Sequence, residues 1–260
     1  MDAQLFIRTW EADLDWLRVC LKSAAKYWRS DLVPVIVATP QCFTPHPTSP
    51  IFKIGPAERL HASVHIEEKS SDQRRGANYI GMHADIYCVK SVEEDDKMIL
   101  ITDSDCLFTR ECGADHMVTA FNPKILIYGQ DYESLLSTAN PQDHNCFTWY
   151  KRVVNEVLGI DPPAEYMRRH PFMFHASTIR NCRNFIRAKH RKPLILVMQQ
   201  YHSGYFSEFN LISAYALRYE PDRYDYCPID NAGPPFIRQF HSWSQTPQGC
   251  ADEIRKIMGE

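Results

Sequence analysis

The chain has 260 residues, 44% hydrophobic and 23% charged, so it can bury about three quarters of its unfolded surface in one sizeable core and is neither disordered nor peptide-sized. Its longest apolar run, residues 193–198, is far short of the roughly 20 residues a membrane helix needs, and no basic-then-apolar leader opens the chain, which points to a cytoplasmic protein. The net charge of −3 hides an asymmetry: residues 166–207 hold eight basic and no acidic side chains, so the remainder is net −11 and a negatively charged partner has to be weighed.

Residues 4–10 are a short apolar, β-prone run, followed by Leu14, Leu17, Leu21, Ala24 and Ala25 at helical spacing and then by the apolar run 33–38. This predicts a β-α-β opening, with Asp13 as cap of the helix. Residues 40–57 carry five prolines and read as a surface loop. A helix is expected over 76–92, with Tyr79, Met82, His83 and Ile86 on one face, and a fully buried strand over 97–102. Further on, 124–128 reads as a strand, and 145–158 as a helix with Phe147, Tyr150, Val153, Val154 and Val157 inward. Met173 and Phe174 suggest another strand, and helices are expected over 177–190 and 206–216. The order of elements predicts an α/β protein: an open, mixed but mostly parallel sheet flanked by helices, with a less regular second half. Nine cysteines without a CxxC pair read as reduced thiols rather than a disulfide framework or zinc site. No GxGxxG follows the first strand and no GxxxxGK[ST] occurs, which removes dinucleotide and P-loop enzymes from the leading candidates.

The most informative segment is Ile99-Leu100-Ile101-Thr102-Asp103-Ser104-Asp105-Cys106-Leu107-Phe108. A buried strand runs out into two carboxylates at i and i+2, at the strand end where open α/β sheets collect ligands. Two such groups can approach one hard divalent cation, although Asp and Ser are also ordinary turn formers. Apolar residues on both sides favour the cation, because flanked carboxylates repel one another unless something compensates them.

That strand ending in Asp103-Ser104-Asp105, with the β-α-β start and a late His beside aromatics in Phe240-His241-Ser242-Trp243, resembles the DxD motif and setting of the GT-A fold glycosyltransferases. The resemblance implies a single GT-A-like domain, with a nucleotide-sugar half over about 1–120 and an acceptor half with a C-terminal metal segment over about 121–260. It implies Mn²⁺ or Mg²⁺ held by Asp103, Asp105 and His241 against the diphosphate of a nucleotide sugar, a UDP-sugar foremost. Arg8, Thr9, Trp10, Arg75, Asp103 and Ser104 are the expected donor contacts. The helix over 76–92 departs from the family in having Met82, His83 and Asp85 where Gln and Lys are frequent, which leaves nucleotide and sugar open.

An inverting transfer needs a base for the acceptor hydroxyl. Glu208, at a helix start in the acceptor half, is the first candidate and Asp131 its competitor; helix capping is the plainer role for Glu208. Arg180, Arg183 and Arg187 repeat at i, i+3 and i+7 opposite the apolar Ile179, Cys182 and Ile186, with Arg191 beyond. That face is a solvated surface or a binding site for a polyanionic acceptor, such as DNA carrying a hydroxylated base, as in viral DNA-modifying glycosyltransferases. A cell-surface glycan or small-molecule acceptor, a sugar-nucleotide nucleotidyltransferase, and a catalytically silent nucleic-acid-binding module are the alternatives.

Overall fold

The computed structural model describes residues 3–9, 13–30, 35–38, 63–66, 96–201, 206–242 and 244–260. The expected loop at 40–57, the helix at 76–92, Trp10, Arg75 and Trp243 lie outside them. The chain opens as anticipated with β1 (Ala3–Thr9), α1 (Leu14–Tyr27) and β2 (Val35–Ala38). There follow β3 (Ser63–Ile66), β4 (Met98–Asp103), β5 (Cys106–Phe108) and β6 (Ile125–Asp131). Next come α2 (Tyr132–Thr138), α3 (His144–Leu158), β7 (Ala164–Glu165), β8 (Phe172–His175), α4 (Ala176–His190) and α5 (Leu194–Met198). The chain finishes with α6 (Glu208–Tyr219), β9 (Tyr224–Pro228), β10 (Ile237–Gln239) and α7 (Ala251–Met258).

The main sheet has the order β3-β2-β1-β4-β8. β3, β2, β1 and β4 are mutually parallel and β8 closes the edge antiparallel to β4, so the architecture is α/β with a mixed, mostly parallel sheet. Every residue of β1 is buried, and Ile99, Leu100 and Ile101 of β4 have no exposed surface. Burial on both faces explains why these strands read as unbroken apolar runs rather than alternating ones. α1 buries Leu17, Cys20, Leu21 and Ala24 in the main core. Because β8 comes from residues 172–175, the two halves of the sequence share one sheet.

Beside it, β6 pairs with β7 and β9, and α3, α4 and α6 pack over this region. The inner face of α3 is Val153, Val154, Val157 and Leu158, and the helix ends on Gly159 with φ of 74°, a left-handed cap conformation that suits glycine. The apolar face of α4 is as expected: Ile179, Cys182 and Ile186 are fully buried.

The C-terminal segment folds back over the front of the molecule. β10 pairs antiparallel with β5, a strand not foreseen from sequence. Arg169 holds it there, its guanidinium donating to the carbonyls of Gly233 (2.6 Å) and Pro234 (2.9 Å) and lying over the Tyr128 ring. Trp16, Leu107 and Phe240 form a small second core with Ile254 and Ile257 of α7. Among the described residues no helix is long and apolar enough to cross a membrane.

Candidate functional site

The strand order fixes where a ligand can bind. From β1 the chain builds β2 and β3 to one side, then crosses to β4 on the other, so the winding reverses between β1 and β4. In open α/β sheets that reversal opens a crevice beyond the carboxyl ends of the strands. Here β1 ends in Arg8 and Thr9 and β4 ends in Asp103, with Arg8 and Asp103 directly opposite one another.

Arg8 is the centre of the arrangement. Its Nε donates to Asp103 Oδ1 at 2.7 Å, and Nη2 lies 2.6 Å from the same oxygen. Nη1 donates to Glu208 Oε1, and the guanidinium sits 4.7 Å from the centre of the Phe209 ring. Both Arg8 and Glu208 are buried, Glu208 completely. Burial disfavours the arginine charge, but Asp103 and Glu208 together outweigh it and hold the guanidinium above its ordinary pKa. Glu208 reaches this position from the first turn of α6. In the same turn Ser207 caps the Asn210 amide, and the Asn210 side chain bonds the buried Glu165 of β7 at 3.0 Å. Burial raises the Glu165 pKa above the usual carboxylate value, with that Asn210 bond opposing it.

The second motif carboxylate is held from the C-terminal side. Asp105 is buried; its Oδ2 accepts from the Ser242 amide at 3.0 Å, its Oδ1 is 3.5 Å from Gln239 Nε2, and its carbonyl accepts from the Phe240 amide at 2.9 Å. Asp13 stands at the N-cap of α1 as expected, but its side chain makes no cap bond. Its Oδ2 instead accepts from Ser242 Oγ (3.1 Å) and Ser104 Oγ (3.4 Å). Phe240 stacks on Trp16 with ring centres 5.1 Å apart, and His241 follows with φ of 48°. Two carboxylates, Asp103 and Glu208, thus flank one guanidinium at the crevice, and Asp105 and Asp13, close to Asp103 and Arg8 in sequence, are held by the C-terminal segment. Two thiols beneath, Cys20 and Cys106, are pushed up by burial first and then by Asp105 and Asp103, so they stay protonated.

Of the residues nominated from sequence, Arg8, Thr9, Asp103, Ser104, Asp105 and Glu208 converge on this end of the sheet. His241 lies beside them in an exposed turn, but among the described residues no group of three or more His, Cys, Asp or Glu is set to hold a metal ion, so Asp103, Asp105 and His241 do not form a closed ligand triad. Glu208, expected as an acceptor-facing base, is instead enclosed against Arg8, because the apolar first turn of α6 carries it into the interior. Asp131 caps α2, its Oδ1 accepting from the amides of Glu133 (2.9 Å) and Ser134 (3.0 Å).

The basic segment is not one surface. Arg168 faces Glu165 at 3.9 Å, Arg169 is internal, and Arg180 and Arg183 are half-buried on α4. Arg187, Arg191 and Lys192 are exposed around a surface groove completed by Asn184 and Pro193.

One residue escaped the sequence reading. His170 puts Nε2 3.9 Å from Asp103 Oδ2, with its side chain only 9% exposed. Its ring meets Phe172 and Phe209 edge-on, at 4.8 and 6.2 Å between centres. Burial lowers its pKa despite the nearby Asp103, so the imidazole is neutral at pH 7. No spacing in the sequence signals it; only the pairing of β8 with β4 brings it in. Comparison with known protein families and with curated proteins finds no match for this chain.

Proposed function

We propose that the chain is a metal-dependent glycosyltransferase that moves a sugar from a nucleotide-diphosphate donor, a UDP-sugar foremost, to a hydroxyl acceptor. The observation that carries this reading is the pair Asp103 and Asp105 at the end of β4, at the reversal of the sheet, with residues 239–242 folded against it. The donor set fits a hard divalent cation of the kind that arrives with its ligand. Mg²⁺ and related ions are commonly bound by one or two carboxylates, with substrate phosphates and water completing the shell, rather than by an all-protein cage. Asp103 keeps Oδ2 turned away from Arg8, and a quarter of its side chain is exposed.

When bound, such a cation would act as a Lewis acid, neutralising charge on the departing diphosphate. The residues of the chain supply the rest. Arg8 fixes the orientation of Asp103 and limits the repulsion among the carboxylates. The Ser242 amide and Gln239 fix Asp105, so both carboxylates are set before the donor enters and need no rearrangement during transfer. Thr9, buried at the end of β1, follows Arg8 at the expected nucleotide position. Glu208 acts through Arg8 in this arrangement, as a positioning residue.

The acceptor end of the reading is a polyanion such as DNA. α4 starts at the amino end of β4, where the Ala176 amide donates to the Lys97 carbonyl, and runs back along the sheet. Its last turn meets the end of α3 through His190 Nε2 and the Val157 carbonyl, 2.8 Å apart. β7 follows shortly after, tied by Glu165 to Asn210 in the first turn of α6. The groove with Arg187, Arg191 and Lys192 lies at the C-terminal end of α4.

The deciding experiment is a thermal-shift series with UDP-, GDP-, CDP- and TDP-sugars, each with and without Mn²⁺. A ligand at a hundredfold excess over Kd adds about 2.7 kcal/mol of stability, so stabilisation that requires metal and nucleotide together is the expected result. Pyrophosphate release from a nucleoside triphosphate and a sugar phosphate would replace this reading with a nucleotidyltransferase. Loss of duplex binding in Arg187→Glu/Arg191→Glu, with donor binding intact, separates the acceptor from the donor site.

A further inference from the structure

Two arginines outside the crevice share one hydrogen-bond acceptor. Arg110 follows β5 and Arg169 precedes β8, and each gives its Nη2 to the Pro234 carbonyl, Arg169 at 2.9 Å. Arg169 also donates Nη1 to the Gly233 carbonyl at 2.6 Å. Both guanidiniums pack on aromatic rings. Arg169 lies 4.7 Å from the centre of Tyr128 and 5.7 Å from that of Phe236, and Arg110 lies 4.2 Å from Phe236. His116 meets the same Phe236 edge-on at 5.2 Å. This group stands apart from the motif carboxylates. β5 and β10 pair Cys106 with Gln239 at the Asp105 end and Phe108 with Ile237 at the other, and the Thr109 amide bonded to the Phe236 carbonyl continues past that second end.

The pair carries two positive charges and no matching negative one. Backbone carbonyls satisfy N–H groups without neutralising the cation, and buried charges are ordinarily paired. Among the described residues neither Arg110 nor Arg169 pairs with a carboxylate. The acids nearest in sequence serve other groups: Glu111 pairs with Arg29, and Asp115 lies 3.3 Å from His116 Nδ1. No neighbour ionises to fill the gap. Burial raises the Tyr128 phenol and the Cys112 and Cys227 thiols, so all three are neutral at pH 7. Arg169 is only 9% exposed, and its pKa is lowered by burial first and also by Arg110, with Tyr128 opposing. Arg110 is exposed, so the pair is open to solvent from its side.

We propose that Arg110 and Arg169 bind a phosphate group between them, at the end of the β5–β10 pair away from Asp105. A guanidinium carries five N–H donors, and the bonds to residues 233 and 234 use one group of Arg110 and two of Arg169, which leaves donors on both. Planar guanidinium forks suit tetrahedral oxyanions, which accept from two arginines at once. The charge of a phosphate, near −2, matches two cations where a carboxylate matches one. Neither arginine belongs to the donor crevice or to the groove at the end of α4, so this site stands or falls separately from the glycosyltransferase reading.

The test treats the full chain with phenylglyoxal, which modifies accessible guanidiniums, and reads each arginine by peptide mass. Inorganic phosphate at ten times its Kd should slow modification of Arg110 by about tenfold, while acetate at equal ionic strength does not protect it. Arg187 and Arg191 should react at the same rate with and without phosphate. In a calorimetric titration, phosphate affinity should fall by about tenfold or more in Arg110→Glu and stay unchanged in Arg187→Glu/Arg191→Glu. Phenyl phosphate distinguishes the sources of the group. Tighter binding than inorganic phosphate supports a phosphoryl group carried on a larger ligand, and equal binding supports the free anion. Absence of Arg110 protection, equal protection by acetate, or native phosphate affinity in Arg110→Glu overturns the proposal. The protection experiment needs no variant, so it decides the matter even if Arg110→Glu does not fold.

Discussion

The buried bridge through Arg8 makes a quantitative prediction. Replacing Arg8 by Met keeps much of the side-chain volume over Phe209 but leaves Glu208, completely buried, and Asp103 facing each other without a cation. Removing one partner of a buried ion pair costs about 3–5 kcal/mol, most of it for the charge left behind. Unfolding entropy of about 2.1 cal/mol/K per residue gives roughly 0.55 kcal/mol/K for a chain of 260 residues, so the melting temperature should fall by about 5–9 °C. Glu208→Gln is milder. The amide oxygen can still accept from Arg8, and Arg8 keeps Asp103, so the expected cost is about 1–2 kcal/mol, or about 2–4 °C. The double variant discriminates, because Glu208→Gln removes the very charge that Arg8→Met leaves unpaired. It should melt above the temperature expected from adding the two single effects, with a coupling of about 1–3 kcal/mol. The assay is a calorimetric melt of the four proteins at pH 7 without nucleotide. Strict additivity, or an Arg8→Met melting temperature within about 1 °C of the parent, would refute the bridge as a structural unit. A Glu208→Gln protein that melts like the parent but turns over about a hundredfold more slowly would return Glu208 to the role of acceptor base.

Asp131→Ala should lose one helix cap, about 1 kcal/mol, seen as a melting temperature about 2 °C lower with donor binding unchanged; impaired donor binding would give Asp131 a catalytic place after all. Asp96 has its pKa lowered: burial opposes the shift, but bonds from the Ser177 hydroxyl and amide and from Arg223 outweigh it. A carboxylate depressed in the folded state adds stability above its unfolded pKa of about 3.9 and loses it as the pH falls further, so Asp96→Asn should melt below the parent at pH 6 and converge with it below about pH 4. A gap that stays constant across that range would contradict this. Burial pushes the Cys112 thiol up to about 12 and raises Cys20 and Cys106 as well, whereas Cys146 and Cys250 are partly exposed. Alkylation of the native protein, read by peptide mass, should therefore modify Cys146 and Cys250 long before those three. Early labelling of Cys20 would mean that α1 opens readily from the sheet.

What could be read in the sequence was what repeats locally. The apolar runs of β1 and β4 fixed the two central strands, and period-3.6 spacing found the inner face of α4 and, in α3, Val153, Val154 and Val157, whereas Phe147 and Tyr150 are only half-buried. The Asp103-Ser104-Asp105 pair was legible because a strand end next to carboxylates is itself a local pattern. The partners of those carboxylates were not. Arg8 finds Glu208 across 200 residues, and His170, two residues before β8, comes near Asp103 only because β8 pairs with β4. β5 and β10 are three residues each, too short to show an alternation, and α7 follows a stretch of turns with little apolar content. Asp13 was placed correctly at a helix start, yet its carboxylate serves Ser104 and Ser242, because the C-terminal segment supplies donors that a cap analysis cannot anticipate.

The contacts that close the crevice also join parts of the chain far apart in sequence. Arg8 and Glu208 are 200 residues apart, and Trp16 Nε1 donates to the Gln245 carbonyl across 229. Bringing such ends together costs about 2 kcal/mol more in chain entropy than closing a loop of twenty residues, and nothing local repays it in advance. The sheet around β1 and β4 can therefore form while Asp103 and Asp105 still face water, and the docking of α6 and β10 comes afterwards. Assembly of the crevice is then expected to lag, with the acidic strand end in solvent until Glu208, Gln239 and Ser242 arrive. Hydrogen exchange at the Phe240 and Ser242 amides during refolding would register that arrival, lagging behind the amides of β1.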